Sequence, residues 1–161
     1  EVTLSLQNTF DLYMRITGLP YLKFVLKPII NEICLGKKSC ELDIERLPEK
    51  TKDRKSTIEK NLQNLIFYTK KIFESISNSF TRCPASFRNI FQHLQAEVIN
   101  KFPENNQIRY IAPSSFIFLR FFCPALLGPK LFNLMPEHPN ESVARDLTLI
   151  AKTMQNLANF S

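Results

Sequence analysis

The sequence predicts an all-α domain. Three observations carry that expectation. Apolar residues recur at helical spacing in nearly every segment. The breaks between those segments fall at prolines. Glycine, at 3 in 161 residues, is too scarce for the tight turns of a β-sandwich or for a Gly-rich dinucleotide fold. With 44% hydrophobic and 22% charged residues the chain has an ordinary globular composition, which excludes disorder as its main state, and its length suits one domain. No run approaches the ~18 apolar residues of a membrane-crossing helix. Glu1 to Phe10 lack the basic and then apolar pattern of a signal peptide.

About six helices are expected. The first carries Phe10, Tyr13, Met14 and possible support from Leu6 on one side, and Gly18-Leu19-Pro20 ends it, with Gly18 at the C′ position. The second runs from about Tyr21 to Leu35 on Leu22, Val25, Leu26, Ile29, Ile30 and Ile33, with a kink or break at Pro28. Gly36 to Lys55 is polar and charged, a surface connection with room for one short turn; its acidic residues, Glu41 to Asp53, read as solvated. Ser56-Thr57-Ile58-Glu59 reads as a capping box opening a third helix, which keeps its period through Ile58, Leu62, Leu65, Ile66, Phe73 and Ile76 to about Ser79. Pro84 fits the first position of a fourth helix bearing Phe87, Ile90, Phe91, Leu94, Val98 and Ile99. After a break at Phe102–Asn106, Ile108 to Leu127 is the most apolar part of the chain. Its length and lack of alternation favour a buried central helix over a strand, stopped at Cys123-Pro124. Asn140 is a good N-cap for the last helix, which carries Val143, Leu147, Ile150, Ala151, Met154, Leu157 and Ala158.

The net charge of +6 favours an acidic partner, and equally serves solubility. Cys34, Cys40, Cys83 and Cys123 show no metal or redox spacing, and His93 and His138 stand near no cysteine cluster, so free thiols and no metal are expected. Most phenylalanines follow core periodicity, which argues against a nucleic-acid partner. No paired carboxylates, nucleophile set or phosphate-binding glycine loop has meaningful spacing. One residue stands out. Arg120, in Phe118-Leu119-Arg120-Phe121-Phe122, is a guanidinium within the most apolar segment. It either reaches the surface, pairs with an acid, or holds a loop or ligand oxygen with its fixed donors.

Phe118-Leu119-Arg120 followed by Pro124-Ala125 and Pro129 resembles the FLR…PA…P signature of Ras GTPase-activating domains. Leu149-Ile150-Ala151-Lys152 and Gln155-Asn156-Leu157-Ala158-Asn159 resemble that family's second block. Tyr21-Leu22 to Leu26-Lys27-Pro28 resembles an early helix, and Ser39-Cys40-Glu41-Leu42-Asp43 a Cys-Glu-aliphatic-Asp stretch. The blocks keep the family's order and spacing from about Asp11 to Ser161. Within the family, the chain looks closest to members that carry C2 and PH domains.

The resemblance implies an all-α RasGAP-like module over residues 1–161, which docks on GTP-bound Ras-family proteins and stimulates their hydrolysis of GTP. It is no enzyme itself. It supplies groups in trans, and GTP and Mg²⁺ belong to the partner GTPase, so the chain needs no cofactor. The family's arginine finger neutralises charge on the transferred phosphoryl group. By position Arg120 is the second arginine, which stiffens the finger loop through backbone carbonyls and is therefore expected to be mostly buried. Leu119, Lys152, Gln155 and Asn159 match partner-binding positions, and the i, i+3, i+7 spacing of the last three puts them on one helix face. The partner is a Ras-family GTPase, with no nucleic acid; membrane contact is indirect, through other domains. The domain is expected to be a cytoplasmic monomer recruited to the inner face of the plasma membrane.

The sequence departs from the pattern at its start. The finger motif, of the form Phe-Arg-x-Asn-Ser/Thr-Leu-Ala, belongs before Tyr13-Met14, yet the first arginine is Arg15, matching a basic residue inside the helix. Thr3-Leu4 and Asn8-Thr9 resemble the flanks of a finger loop missing near residues 5–10. Three accounts stay open: a finger loop left out between joined flanks, an engineered or spliced form, or a natural finger-less scaffold module that binds GTPases without activating them. The family's acidic partner for Lys152 would follow Ser161, so the chain reads as a domain fragment with its C-terminal part truncated.

Overall fold

The computed structural model describes the backbone of residues 2–160 and the side chains of residues 12–159. Leu6, Phe10 and the Thr3-Leu4 and Asn8-Thr9 flanks lie outside the described side chains. Among the described residues there is no strand. Five long helices make up the fold: α1 (Val2–Gly36), α2 (Arg54–Asn78), α3 (Ala85–Lys101), α4 (Ile108–Leu127) and α5 (Glu141–Phe160). Short 3₁₀ turns sit at Ile44–Arg46, Phe80–Arg82 and Pro129–Phe132.

The count is five because the two N-terminal helices expected from sequence are one. α1 runs unbroken through Gly18, Pro20 and Pro28. Both prolines lie on its exposed face, and so do Ile16 and Phe24, whose carbonyls lose their i+4 donors, so water can serve them. Gly18 is no cap. A Cβ there would stand 2.4 Å from Phe121 and 2.8 Å from Phe87, two fully enclosed rings. The glycine lets α1 close on α3 and α4.

The core is aromatic at this crossing. Phe87 meets Phe121 edge-on at 4.9 Å between centroids, Phe121 meets Phe122 at 5.1 Å, and Tyr21 meets Phe122 at 5.9 Å. The inner face of α1 adds Leu22, Val25, Leu26, Ile29, Ile30 and Ile33, as its periodicity predicts. On α2 the buried face is turned from the predicted stripe. Asn61, Leu65, Tyr68, Thr69 and Ile72 point inward, while Leu62, Ile66 and Phe73 are exposed. Its N-cap is Asp53, whose carboxylate accepts from the Ser56 N–H at 3.0 Å, so Ser56 is inside the helix and not the cap. Pro84 sits one residue earlier than expected, as the cap of α3. Asn140 does cap α5, accepting from the Val143 N–H at 2.9 Å.

α4 differs most from expectation. By length and composition it is apolar enough to cross a membrane, yet only its C-terminal end, from Phe121, is buried; the preceding residues are half-buried or exposed. Its first half packs chiefly on α3, which itself has one buried residue, Phe87. Two prolines sit inside α4, and neither ends it. Pro113 cannot donate to the Arg109 carbonyl, and the Gln95 amide of α3 does so instead, at 3.3 Å. Ahead of Pro124 the helix widens into a π turn, Phe118–Phe122, in which the Cys123 N–H reaches the Phe118 carbonyl. The wider turn relieves the clash of the Pro124 ring with the carbonyl one turn back, and the helix continues to Leu127.

The segment 39–43, expected to be solvated, is a clamp. Glu41 is buried, and Arg145 of α5 grips its carboxylate with two bonds, Nε to Oε2 at 2.8 Å and a terminal nitrogen to Oε1 at 3.0 Å. The same carboxylate accepts the N–H groups of Leu42 and Asp43. The Cys40 N–H donates to Asp146 Oδ1 at 2.7 Å, and the Asn61 and Asn64 amides of α2 donate to the carbonyls of Glu41 and Ser39. The bond to Arg145 holds the Glu41 carboxyl below the usual glutamate range, and burial pushes the Asp146 carboxyl up. The four cysteines carry free thiols; burial raises Cys40 to about 12 and Cys123 to about 11, far from reactive values.

Candidate functional site

The wide turn of α4 faces the first third of α1 across a cleft of about 540 Å³. Leu12 and Arg15 stand on one side, Leu119, Arg120 and Pro124 on the other, and Phe132 closes one end. Local chain chemistry explains the arrangement. The 3₁₀ turn Pro129–Phe132 follows α4 directly, and Arg15 holds it, donating to the Leu131 carbonyl and lying over the Phe132 ring at 4.8 Å.

Arg120 is exposed, which corrects the expectation of a mostly buried side chain. The reason is helical phase. Phe121, Phe122, Ala125 and Leu126 point into the core, and at about 100° per residue the position before Phe121 falls on the opposite face. The sequence contains that information, because the four buried residues are apolar and Arg120 is not. Exposure still leaves Arg120 at the cleft, on the side facing the N-terminal part of α1.

Of the remaining predicted residues, Leu119 is half-buried and lines the cleft. Lys152 and Asn159 are exposed and Gln155 half-buried on α5, outside the cleft lining, between the buried Ala151, Met154 and Ala158. α4 and α5 run antiparallel, since the Ser115 hydroxyl donates to the Ala158 carbonyl at 2.6 Å and the Cys123 thiol to the Ala151 carbonyl at 3.7 Å. Interpolating between these contacts sets the Leu119–Arg120 turn level with Met154 and Gln155. Sequence reasoning missed Leu12, Pro124 and Phe132 as parts of the site, and nothing in the local pattern marks Arg15 as bridging to Leu131.

The cleft is lined by two guanidiniums, Arg15 and Arg120, beside the apolar Leu119. It suits an acidic protein surface with an apolar contact at Leu119. Among the described residues no group of three His, Cys, Asp or Glu side chains could hold a metal.

Residues 5–159 match the family model of GTPase-activator proteins for Ras-like GTPases. The chain belongs to that family. Relatives of the domain include a probable Ras GTPase-activating-like protein, ngap, of Dictyostelium discoideum, 48% identical over 94% of the chain. A GTPase-activating protein of Drosophila melanogaster is 46% identical over 92%, and Ras GTPase-activating protein 2 of Homo sapiens 43% over 93%. The chain spans 17%, 12% and 17% of the lengths of these three proteins. In this RasGAP chain the two blocks that carry the sequence resemblance, around Leu119-Arg120 and from Leu149 to Asn159, lie on the adjacent helices α4 and α5.

Proposed function

We propose that the domain docks on a GTP-bound Ras-like GTPase through the cleft between α1 and the wide turn of α4, and promotes hydrolysis of the bound GTP. Family membership supports the partner class, and the cationic cleft with Leu119 at its wall is the observation that carries the docking site. GTP and Mg²⁺ belong to the partner. In this reading Arg120 is a positioning residue: from the cleft it braces, through backbone carbonyls, a finger segment whose arginine is not among residues 1–161. Lys152, Gln155 and Asn159 extend the docking face along α5. The GTPase sits at the inner face of the plasma membrane, and other domains recruit this one there from the cytoplasm, where it works as a monomer.

A second reading has its own observation. No loop interrupts α1 between Val2 and Gly36, so the described chain offers a continuous helix where a finger loop is expected. A domain of this form binds the GTPase without activating it.

Single-turnover hydrolysis of GTP by Ras separates the two. The 161-residue chain is expected to bind weakly and to leave the rate unchanged. A full-length form carrying the finger is expected to stimulate, and Arg120→Ala within it to slow stimulated hydrolysis about 100-fold with binding nearly intact, because a misplaced finger costs mainly in the transition state. Lys152→Glu is expected to weaken docking and to make it more sensitive to salt. Full stimulation by the 161-residue chain would show that another residue acts as the finger; no stimulation by the full-length form would establish the scaffold reading.

A further inference from the structure

A second hollow, of about 560 Å³, lies between the end of α2, the length of α3 and the first half of α4, and shares no residue with the cleft. Its walls are mostly apolar, with Tyr21, Phe80, Phe91, Tyr110, Ile117 and Phe118 the largest contributors. Two guanidiniums, Arg88 and Arg109, also line it, and no carboxylate does among the described residues. Arg88 is partly engaged, donating to the Cys83 carbonyl at 2.7 Å. Arg109 lies over the Tyr110 ring at 4.7 Å, and its Nε is buried without a hydrogen-bond partner. With Nε enclosed, the terminal nitrogens of the guanidinium are the donors left for an anion in the hollow.

We propose that this groove binds a single-chain anionic amphiphile, its acyl chain against the aromatic wall and its acidic head at Arg109, with Arg88 as the second cation. Volume and lining fit a small ligand, since such sites are commonly about 300–1,000 Å³, mostly apolar, with a few convergent polar groups. Charge complementarity selects an anion. The scarcity of free polar groups selects an acyl chain over a peptide. A peptide brings an N–H and a C=O with every residue, and these need partners. The Gln95 amide is already spent on the Arg109 carbonyl and the Ser114 hydroxyl on the Tyr110 carbonyl, which leaves Gln92, Ser77 and the Tyr110 hydroxyl as the main uncharged side-chain partners. A hydrocarbon chain asks for none.

The test uses dodecanoate, below its micelle concentration, as the probe, and methyl dodecanoate and acetate as controls for charge and chain. The chain has 4 tyrosines and no tryptophan, and Tyr21 and Tyr110 line the groove, so tyrosine emission reports occupancy. Saturable binding of dodecanoate is expected, with the methyl ester at least ~10-fold weaker and acetate without effect. Arg109→Gln is expected to weaken binding about 10-fold with an unchanged melting temperature, since the lost Nε has no partner to strand, and Arg109→Lys to restore part of it by returning the charge without the planar, ring-stacked fork. Equal binding of ester and acid, wild-type affinity in Arg109→Gln, or no saturable binding would each overturn the proposal. Binding of an acidic amphipathic peptide that dodecanoate cannot displace would overturn it in favour of a peptide site.

Discussion

The clamp at 39–43 and the cleft at Leu119-Arg120 both hold an arginine beside a carbonyl-rich turn, and they treat it in opposite ways. In the clamp Arg145 meets a buried carboxylate with two short bonds, and the bonds converging on the segment join it to both α2 and α5. In the cleft Arg120 is exposed, and the facing Arg15 spends its donors on the Leu131 carbonyl. The first arrangement is a finished internal network, costly to break and of no use to a partner. The second places guanidiniums beside an apolar residue on an open cleft, where a partner can reach them. Two stretches that resemble the same family thus divide the work, one holding the domain together and one presenting its face.

Breaking the clamp gives the largest expected effect. Arg145→Ala strands the buried Glu41 carboxylate and is expected to cost about 3 kcal/mol, read as a fall in the urea midpoint without change in slope. A loss under ~1 kcal/mol would show that the Leu42 and Asp43 N–H groups suffice to hold Glu41, and the contrast between the two arginines would fail. Next comes Gly18→Ala. In an exposed helix this change stabilises by about 0.5–1 kcal/mol. Here the new methyl meets two enclosed rings, and a loss of about 2 kcal/mol is expected by overpacking. Phe121 belongs to the wide turn, so the same variant is expected to weaken GTPase docking, which thermal melting and binding measured together would show.

Much of the fold was legible in the sequence, for a reason visible at α5. There Asn140 and the stripe through Val143, Leu147, Ile150, Ala151, Met154 and Ala158 agree, and the structure follows them, with only Leu157 of the expected stripe exposed. At α1 the local signals misled. Gly18-Leu19-Pro20 reads as a stop because proline lacks a donor, but solvent on the outer face and close packing on the inner face outweigh the local preference. The clamp was invisible for a different reason. Glu41 and Arg145 stand 104 residues apart, and no local pattern distinguishes a paired glutamate from a solvated one. At the cleft, the motif located Leu119 and Arg120, while Leu12, Arg15 and Phe132 join them only through the crossing of α1 over the end of α4.

Arg120→Ala sharpens the comparison from the other side. Because the side chain is exposed, the change is expected to alter stability by no more than about 0.5 kcal/mol, even as its contribution to stimulated hydrolysis is lost. Chemical denaturation and single-turnover GTP hydrolysis with the same finger-bearing full-length preparation test this. A loss approaching that of Arg145→Ala would place Arg120 among the structural arginines and remove it from the proposed site.

The smallest expected effect distinguishes the two carboxylates inside the clamp. Glu41 titrates below its ordinary range, so its contribution is full above that range and is lost as pH falls through the lowered folded value. Asp146 is raised by burial, so it costs stability above its raised value, and the cost fades as pH falls through that value towards the ordinary aspartate range. The two act in opposite directions on acidification, Asp146 offsetting part of the Glu41 loss. Asp146→Asn keeps an oxygen to accept from the Cys40 N–H and removes the buried charge. The variant is expected to match wild type within a few tenths of a kcal/mol near pH 7 and to lose stability more steeply than wild type on acidification, because the offset from Asp146 is gone and the loss set by Glu41 remains. Thermal midpoints across that pH range decide it. A variant clearly weaker near pH 7 that approaches wild type on acidification would mean that the Asp146 charge contributes to holding Arg145, and the clamp would then rest on a carboxylate pair instead of on Glu41 alone.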